Sequence, residues 1–267
     1  MRISSRRIVS SLLSVGLLVV ASGCVSFSSM TPGKMEWVQI QSDAPRAGNV
    51  YLTRGLIGMF SHGIDVLTEE IDQTGVRAHV FQEDQKELVA AQLVETYKNR
   101  PDREPLILIG HSLGADDSIM FARELQKVGV DVDVLITLDA TRPPKVPGNV
   151  KVCYNYYQPS ILDGTGILRG IPLETEPDFH GKLYNMNVRG EYKHLLEWDT
   201  NHVNIDKNSK IHKDVIARVL EYCPPREQWV SMHQMRAGLP TTQPFTQASA
   251  HTPAQPAVQT IGAAVNP

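Results

Sequence analysis

Leu106-Ile107-Leu108-Ile109-Gly110-His111-Ser112-Leu113-Gly114-Ala115-Asp116 runs four large apolar residues straight into a glycine-framed turn with a serine at its apex. A segment apolar at every position reads as a strand covered on both faces, the habit of parallel sheets. After the turn, residues 113–128 read as a helix through Ile119, Met120 and Leu125. Gly-x-Ser-x-Gly recurs by chance, so the five residues alone decide little. Their place between a buried strand and a helix singles out Ser112 as a candidate nucleophile. The serine then sits in a strained backbone conformation, and side chains at Gly110 or Gly114 would collide with neighbouring elements. The helix N-terminus beneath also favours developing negative charge. A structural glycine turn with an inert serine is the alternative.

Working outward, residues 49–54 read as a short strand ending at Gly55. Residues 61–73 form a helix with the stripe Ile64, Leu67 and Ile71, stopped at Gly75. A strand at 76–81 and a helix at 83–98 follow, the latter with Leu88, Ala91, Leu93 and Val94 available for burial. Residues 132–138 and 150–156 are further strands, 182–188 is a candidate last strand, and 210–222 is a closing amphipathic helix. This alternation predicts an α/β fold, a mostly parallel central sheet with helices on both faces.

A serine hydroxyl needs a base, and the base needs an acid to orient it. In such a fold they follow the serine in the order acid, then histidine, at the carboxyl edge of the sheet. Of nine histidines, His202 lies in the loop just before the closing helix, where a base can reach back over the sheet. His194 is the runner-up. For the acid, Asp139 ends the apolar strand 132–138, with Asp163, one strand later, as the competitor. Asp116 and Asp117 fall in a first helical turn, where the helix dipole explains them. Asp199 and Asp206 read as loop groups. The oxyanion hole needs two backbone N–H groups. Leu113 is one donor, and Leu56, in the loop after the first strand, is the other. Residues 157–197 form a long connection whose Ile161, Leu162, Ile167, Leu168 and Ile171 either pack or line an acyl pocket.

The composition bounds the rest. With 267 residues, 42% of them hydrophobic, the chain can build one sizeable core. A net charge of −3 gives no electrostatic footprint for nucleic acid. No CxxC, HExxH, P-loop or GxGxxG pattern occurs, so neither a metal nor a nucleotide cofactor is expected. Residues 1–23 carry Arg2, Arg6 and Arg7, an apolar run at 8–20, then Ala21-Ser22-Gly23 before Cys24, the layout of an export signal. Ser5-Arg6-Arg7 alone suggests a twin-arginine signal, but the remainder of that motif is weak. The tail from residue 237 to 267 is rich in Pro, Thr, Gln and Ala and reads as disordered, leaving a folded body at 34–236. Cys153 and Cys223 either pair or remain buried thiols.

Two resemblances sharpen this reading. Ala21-Ser22-Gly23-Cys24 is similar to the lipobox of bacterial lipoproteins, with Ala21 where Leu is usual. It implies a chain lipidated at Cys24 and held to a membrane; Val25 leans toward the outer membrane. A simple secretory peptide is the alternative. The body, about residues 48–222, resembles the α/β-hydrolase superfamily: Gly110-His-Ser-Leu-Gly114 matches its elbow, Asp139 and His202 its acid and base. Arg54-Gly55-Leu56 takes the place of its oxyanion loop, with Arg54 where His is usual. The stretch RGLIGMFSHGIDVL is similar to bacterial proteins described only as lipase- or thioesterase-like hydrolases. The resemblance implies a serine hydrolase acting on a small-molecule or lipid acyl substrate, ester or thioester. Acyl transfer would use the same residues, and a non-catalytic envelope binding protein on the same fold is the other class.

Overall fold

The computed structural model describes residues 43–55, 61–81, 85–98, 100, 102–159 and 170–236. The expected signal at 1–23, Cys24, Leu56, Asp163 and the tail at 237–267 lie outside them. Six strands form one sheet, all parallel: β1 (Asn49–Thr53), β2 (Arg77–Phe81), β3 (Leu106–His111), β4 (Val132–Leu138), β5 (Val150–Tyr157) and β6 (Lys182–Asn187). Their order is β2-β1-β3-β4-β5-β6. The chain therefore steps outward from β1 to β2, crosses back to β3, and continues the other way. The helices that follow β1 and β3 pack on opposite faces of the sheet, and the carboxyl edge at such a reversal is the general ligand position in open α/β sheets.

Period-2 alternation along the strands divides the interior into two cores. On one face Val50, Leu52, Ile107, Ile109, Val134 and Ile136 meet α1 (His62–Gln73) and α4 (Ser209–Tyr222) through Ile64, Leu67, Ile71, Ile211, Val215 and Val219. On the other, Tyr51, Leu106, Leu108 and Leu135 meet α2 (Lys86–Tyr97) and α3 (Leu113–Lys127). Each such fully buried aliphatic side chain contributes about 1.5–3 kcal/mol. The cysteines fall on opposite sides of the sheet, Cys223 in the first core and Cys153 in the second, and both are free thiols. Burial raises both thiols, Cys223 to about 12, so neither is a ready nucleophile.

Three burial expectations need correcting. Leu88 is 59% exposed and Ala91, on the same face, is exposed as well; the inward stripe of α2 is Val89, Ala90, Leu93 and Tyr97. The helix begins at Lys86, so Leu88 falls in its first turn on the outer side. Met120 is likewise exposed, while Ile119, Ala122 and Leu125 turn inward. A further helix, α5 (Arg226–Arg236), carries too little apolar periodicity to be read from sequence. Side-chain bonds dock its first residue. Arg226 pairs with the buried carboxylate of Glu104 and donates to the carbonyls of Ala44 and Arg46. No helix among the described residues is long and apolar enough to cross a membrane.

Candidate active site

Ser112 stands between β3 and α3 with φ 57° and ψ −123°. Its N–H donates to the Leu138 carbonyl at 2.9 Å, holding the turn against the end of β4. Both flanking glycines are sterically required. A Cβ at Gly110 would collide with the Gly114 carbonyl and Ser118 Oγ; one at Gly114 would enter the Thr53 and Arg54 carbonyls. Among the described residues, Ser112 and Asp139 (φ 49°) are the two non-glycine residues with positive φ. Such positions cost about 1–3 kcal/mol each and persist where the surroundings over-determine them.

Three residues far apart in sequence converge there. Ser112 Oγ lies 3.0 Å from His202 Nε2, and His202 Nδ1 lies 3.3 Å from Asp139 Oδ2. A carboxylate accepts, so Nδ1 carries the ring proton and Nε2 is left to take one from the serine. His202 sits in a loop bracketed by short 3-10 turns at Lys193–Leu195 and Ile205–Lys207. Asp139 is fully buried. Its N–H donates to the Tyr156 carbonyl, while its Oδ1 accepts from the Gln158 N–H at 2.7 Å and Oδ2 from Gln158 Nε2 at 2.8 Å. Arg189 Nη2 donates to Gln158 Oε1 (2.9 Å) and to the Thr200 carbonyl (2.6 Å), joining the acid's partner to the histidine loop. Gly170 passes so near that a Cβ there would strike Asp139 Oδ1.

Sequence reasoning missed Gln158 and Arg189. Gln158 had a findable signal, a polar residue directly after β5, next to Asp139's strand at the same edge. Arg189, in an irregular stretch, had none. A polar ladder across the sheet pins the return of the long connection. Thr137 donates to Asn155, Asn155 to Asn185 and to the Ile171 carbonyl, and Asn185 exchanges two bonds with the Leu173 backbone. Ile171 is thus held through its backbone; Ile161, Leu162, Ile167 and Leu168 lie outside the described residues.

Leu113, the expected oxyanion donor, is the first residue of α3, where helical N–H groups have no partner within the helix. Arg54 forms a buried ion pair with Asp65 of α1, its Nε 2.8 Å from Oδ1. It ties β1's exit to the helix beyond. Gly55 passes over the elbow, where a Cβ would come 2.6 Å from the His111 carbonyl.

Other candidates fall elsewhere. His194 lies in the 193–195 turn against the Tyr192 ring. Asp116 is more than a dipole-favoured helix acid. It is buried and accepts from Thr141 N–H, Thr141 Oγ1 and Arg142 N–H, bracing the turn that follows Asp139. Burial pushes its carboxyl up to about 6. Asp117 pairs with Lys86 at 3.1 Å. Asp206 is fully buried rather than a solvated loop group. Its Oδ2 accepts from Gly63 N–H at 2.9 Å, Oδ1 has no hydrogen-bond partner among the described residues, and burial pushes the carboxyl up to about 6.

No family model matches the chain, and no curated protein matches it. Solved structures do. Est1E from Butyrivibrio proteoclasticus aligns over 68% of this chain and 97% of its own at 11% identity and a TM-score of 0.40. The NocB thioesterase domain from the nocardicin cluster aligns over 66% and 94% at 16% and 0.38. XC6422 from Xanthomonas campestris, an α/β serine hydrolase without lid, aligns over 77% and 89% at 16% and 0.37. At these values the likenesses carry no argument about activity, and the architecture rests on the molecule itself. A parallel sheet ordered β2-β1-β3-β4-β5-β6, with a Gly-x-Ser-x-Gly elbow joining its third strand to a helix, is the α/β-hydrolase fold.

Proposed function

We propose that this chain is a serine hydrolase that cleaves an ester or thioester through an acyl-enzyme on Ser112. The supporting observation is the unbroken hydrogen-bonded line from Ser112 Oγ through His202 to the buried Asp139. In this reading His202 Nε2 takes the serine proton as Oγ attacks the acyl carbonyl. Asp139 holds the ring tautomer and stabilises the imidazolium. Backbone N–H groups of Leu113 and Leu56 receive the oxyanion. The imidazolium then protonates the leaving alcohol or thiol, and water, deprotonated by the same ring, releases the acid.

The substrate is a small-molecule or lipid acyl compound. Lipidation at Cys24 would place the enzyme on a membrane of the cell envelope, the outer membrane being favoured, a reading that rests on the sequence of residues 1–25. The test is labelling by a fluorophosphonate probe of wild-type protein, Ser112→Ala and His202→Ala, followed by ester and thioester panels with product analysis. Labelling confined to the wild type supports the reading. A folded wild type that takes no probe would leave the binding-protein reading in its place. An acyl group delivered to an acceptor other than water would make it a transferase.

A further inference from the structure

A second line of hydrogen bonds runs beside the first and belongs to none of the proposed catalytic steps. Gly55 N–H donates to Ser61 Oγ at 3.1 Å. Ser61 Oγ lies 3.0 Å from His111 Nδ1, and His111 Nε2 lies 2.9 Å from the backbone carbonyl of His202. A carbonyl only accepts, so His111 carries its proton on Nε2. Its Nδ1 must then accept, which turns the Ser61 hydroxyl proton toward the ring and leaves the hydroxyl lone pair for Gly55. Every donor and acceptor in the line is used once, in one direction. Ser61, His111 and His202 are all buried. Burial pushes the His111 imidazole down to about 4, so it stays neutral at ordinary pH. Asp206 Oδ2, 3.9 Å from Nδ1, is too far to bond and already accepts from Gly63.

We infer that His111 and Ser61 are positioning residues: one neutral imidazole of fixed tautomer sets the spacing between the loop that begins at Gly55 and the loop that carries His202. His111 immediately precedes Ser112 on the rigid end of β3, so both loops are measured from the strand that presents the nucleophile. The inference rests on reading Ser112 as nucleophile and His202 as base.

Ser61→Ala leaves His111 Nδ1 without a donor, frees Gly55 N–H, and allows the ring to exchange tautomers and release the His202 carbonyl. A base displaced by about 1 Å costs roughly 100-fold. The full chain in detergent is compared as wild type, Ser61→Ala and Ser61→Thr, for fluorophosphonate labelling and for hydrolysis of p-nitrophenyl butyrate. The expected result is a loss of about 10- to 100-fold in labelling rate and kcat for Ser61→Ala, with KM nearly unchanged. Ser61→Thr, which keeps the hydroxyl, restores most of the rate. A folded Ser61→Ala protein labelled at the wild-type rate overturns the inference. So does a loss that Ser61→Thr fails to restore. The wild type supplies a measurement independent of any variant: ¹⁵N NMR should show His111 protonated at Nε2 and not titrating between about pH 5 and 9. A ring protonated at Nδ1, or one that titrates in that range, also overturns it. A wild type that takes no probe at all strikes the serine-hydrolase reading instead, so the two failures are distinguishable.

Discussion

Replacing Asp139 by Asn tests the proposed acid, and its consequence can be worked through atom by atom. Asp139 Oδ1 accepts from the Gln158 backbone N–H, and Oδ2 faces both Gln158 Nε2 and His202 Nδ1. An asparagine can be seated two ways, and each sets one N–H against another. With its NH₂ toward the backbone N–H, the clash is with an atom that cannot move. With its oxygen there, the NH₂ faces Gln158 Nε2, a side-chain group able to shift, and donates to His202 Nδ1. The second seating wins. His202 must then carry its proton on Nε2, pointing at Ser112 Oγ, where it can no longer accept. A wrong-tautomer imidazole costs about 10⁴ in kcat, roughly 5.5 kcal/mol of barrier. The opposed donors cost a further 1–3 kcal/mol of folding stability, on the order of 2–12 °C in Tm. The assay is the second-order rate of fluorophosphonate labelling, with circular dichroism to establish that the variant is folded. Folded Asp139→Asn protein labelled within tenfold of wild type would refute the assignment and return attention to Asp163.

Four other outcomes are expected. Gly110→Ala, forced into the Gly114 carbonyl, should lose more than about 3 kcal/mol and fail to accumulate as soluble protein. Gly129→Ala, at φ +76° with Lys98 Cε at 3.8 Å, should stay soluble and lose about 1–2 kcal/mol; the soluble yields of the two variants and a denaturant melt of Gly129→Ala check this. Asp206, raised from 3.8 to about 6 by burial, is ionised in the folded state above about pH 6 at a cost of roughly 3 kcal/mol, absent below about pH 4. Asp206→Asn should therefore raise Tm at pH 8 and leave it unchanged or lower at pH 4; a fall at pH 8 larger than that at pH 4 would show that the charge itself is wanted. Arg189→Met should slow labelling about tenfold by releasing Gln158 and the Thr200 carbonyl, and wild-type labelling by that variant would show the brace to be idle.

The sheet was legible because its signals are local. Leu106 to Ile109 is apolar at every position, and such a run fits a strand buried on both faces. The position of Ser112 was legible for the same reason, since the elbow is contiguous in sequence. Asp139 was readable as the end of an apolar strand, yet nothing local separated it from Asp163, because the choice depends on which strand end faces the base. Gln158, Arg189 and Ser61 act through two or three hydrogen bonds each, mostly to residues distant in sequence, and a lone polar residue carries no periodicity to betray it. The same is true of α5, whose first turn is fixed by Arg226 and Glu104 rather than by an apolar stripe. Leu88 failed for a related cause: α2 carries apolar residues on more than one face, and packing against the second core selects Val89, Ala90, Leu93 and Tyr97.

The positive φ angles of Ser112 and Asp139 bear on how such a chain changes over generations. Each holds a side chain where glycine would be more comfortable, so the folded state is less stable than the same backbone could be. Most substitutions that remain in a population are filtered by stability, and a stabilising exchange meets little resistance once the chemistry is dispensable. A lineage using this scaffold only to hold a ligand would relax these two positions early. In this chain serine and aspartate occupy them, so the strain is carried at the two positions through which the proposed reaction runs.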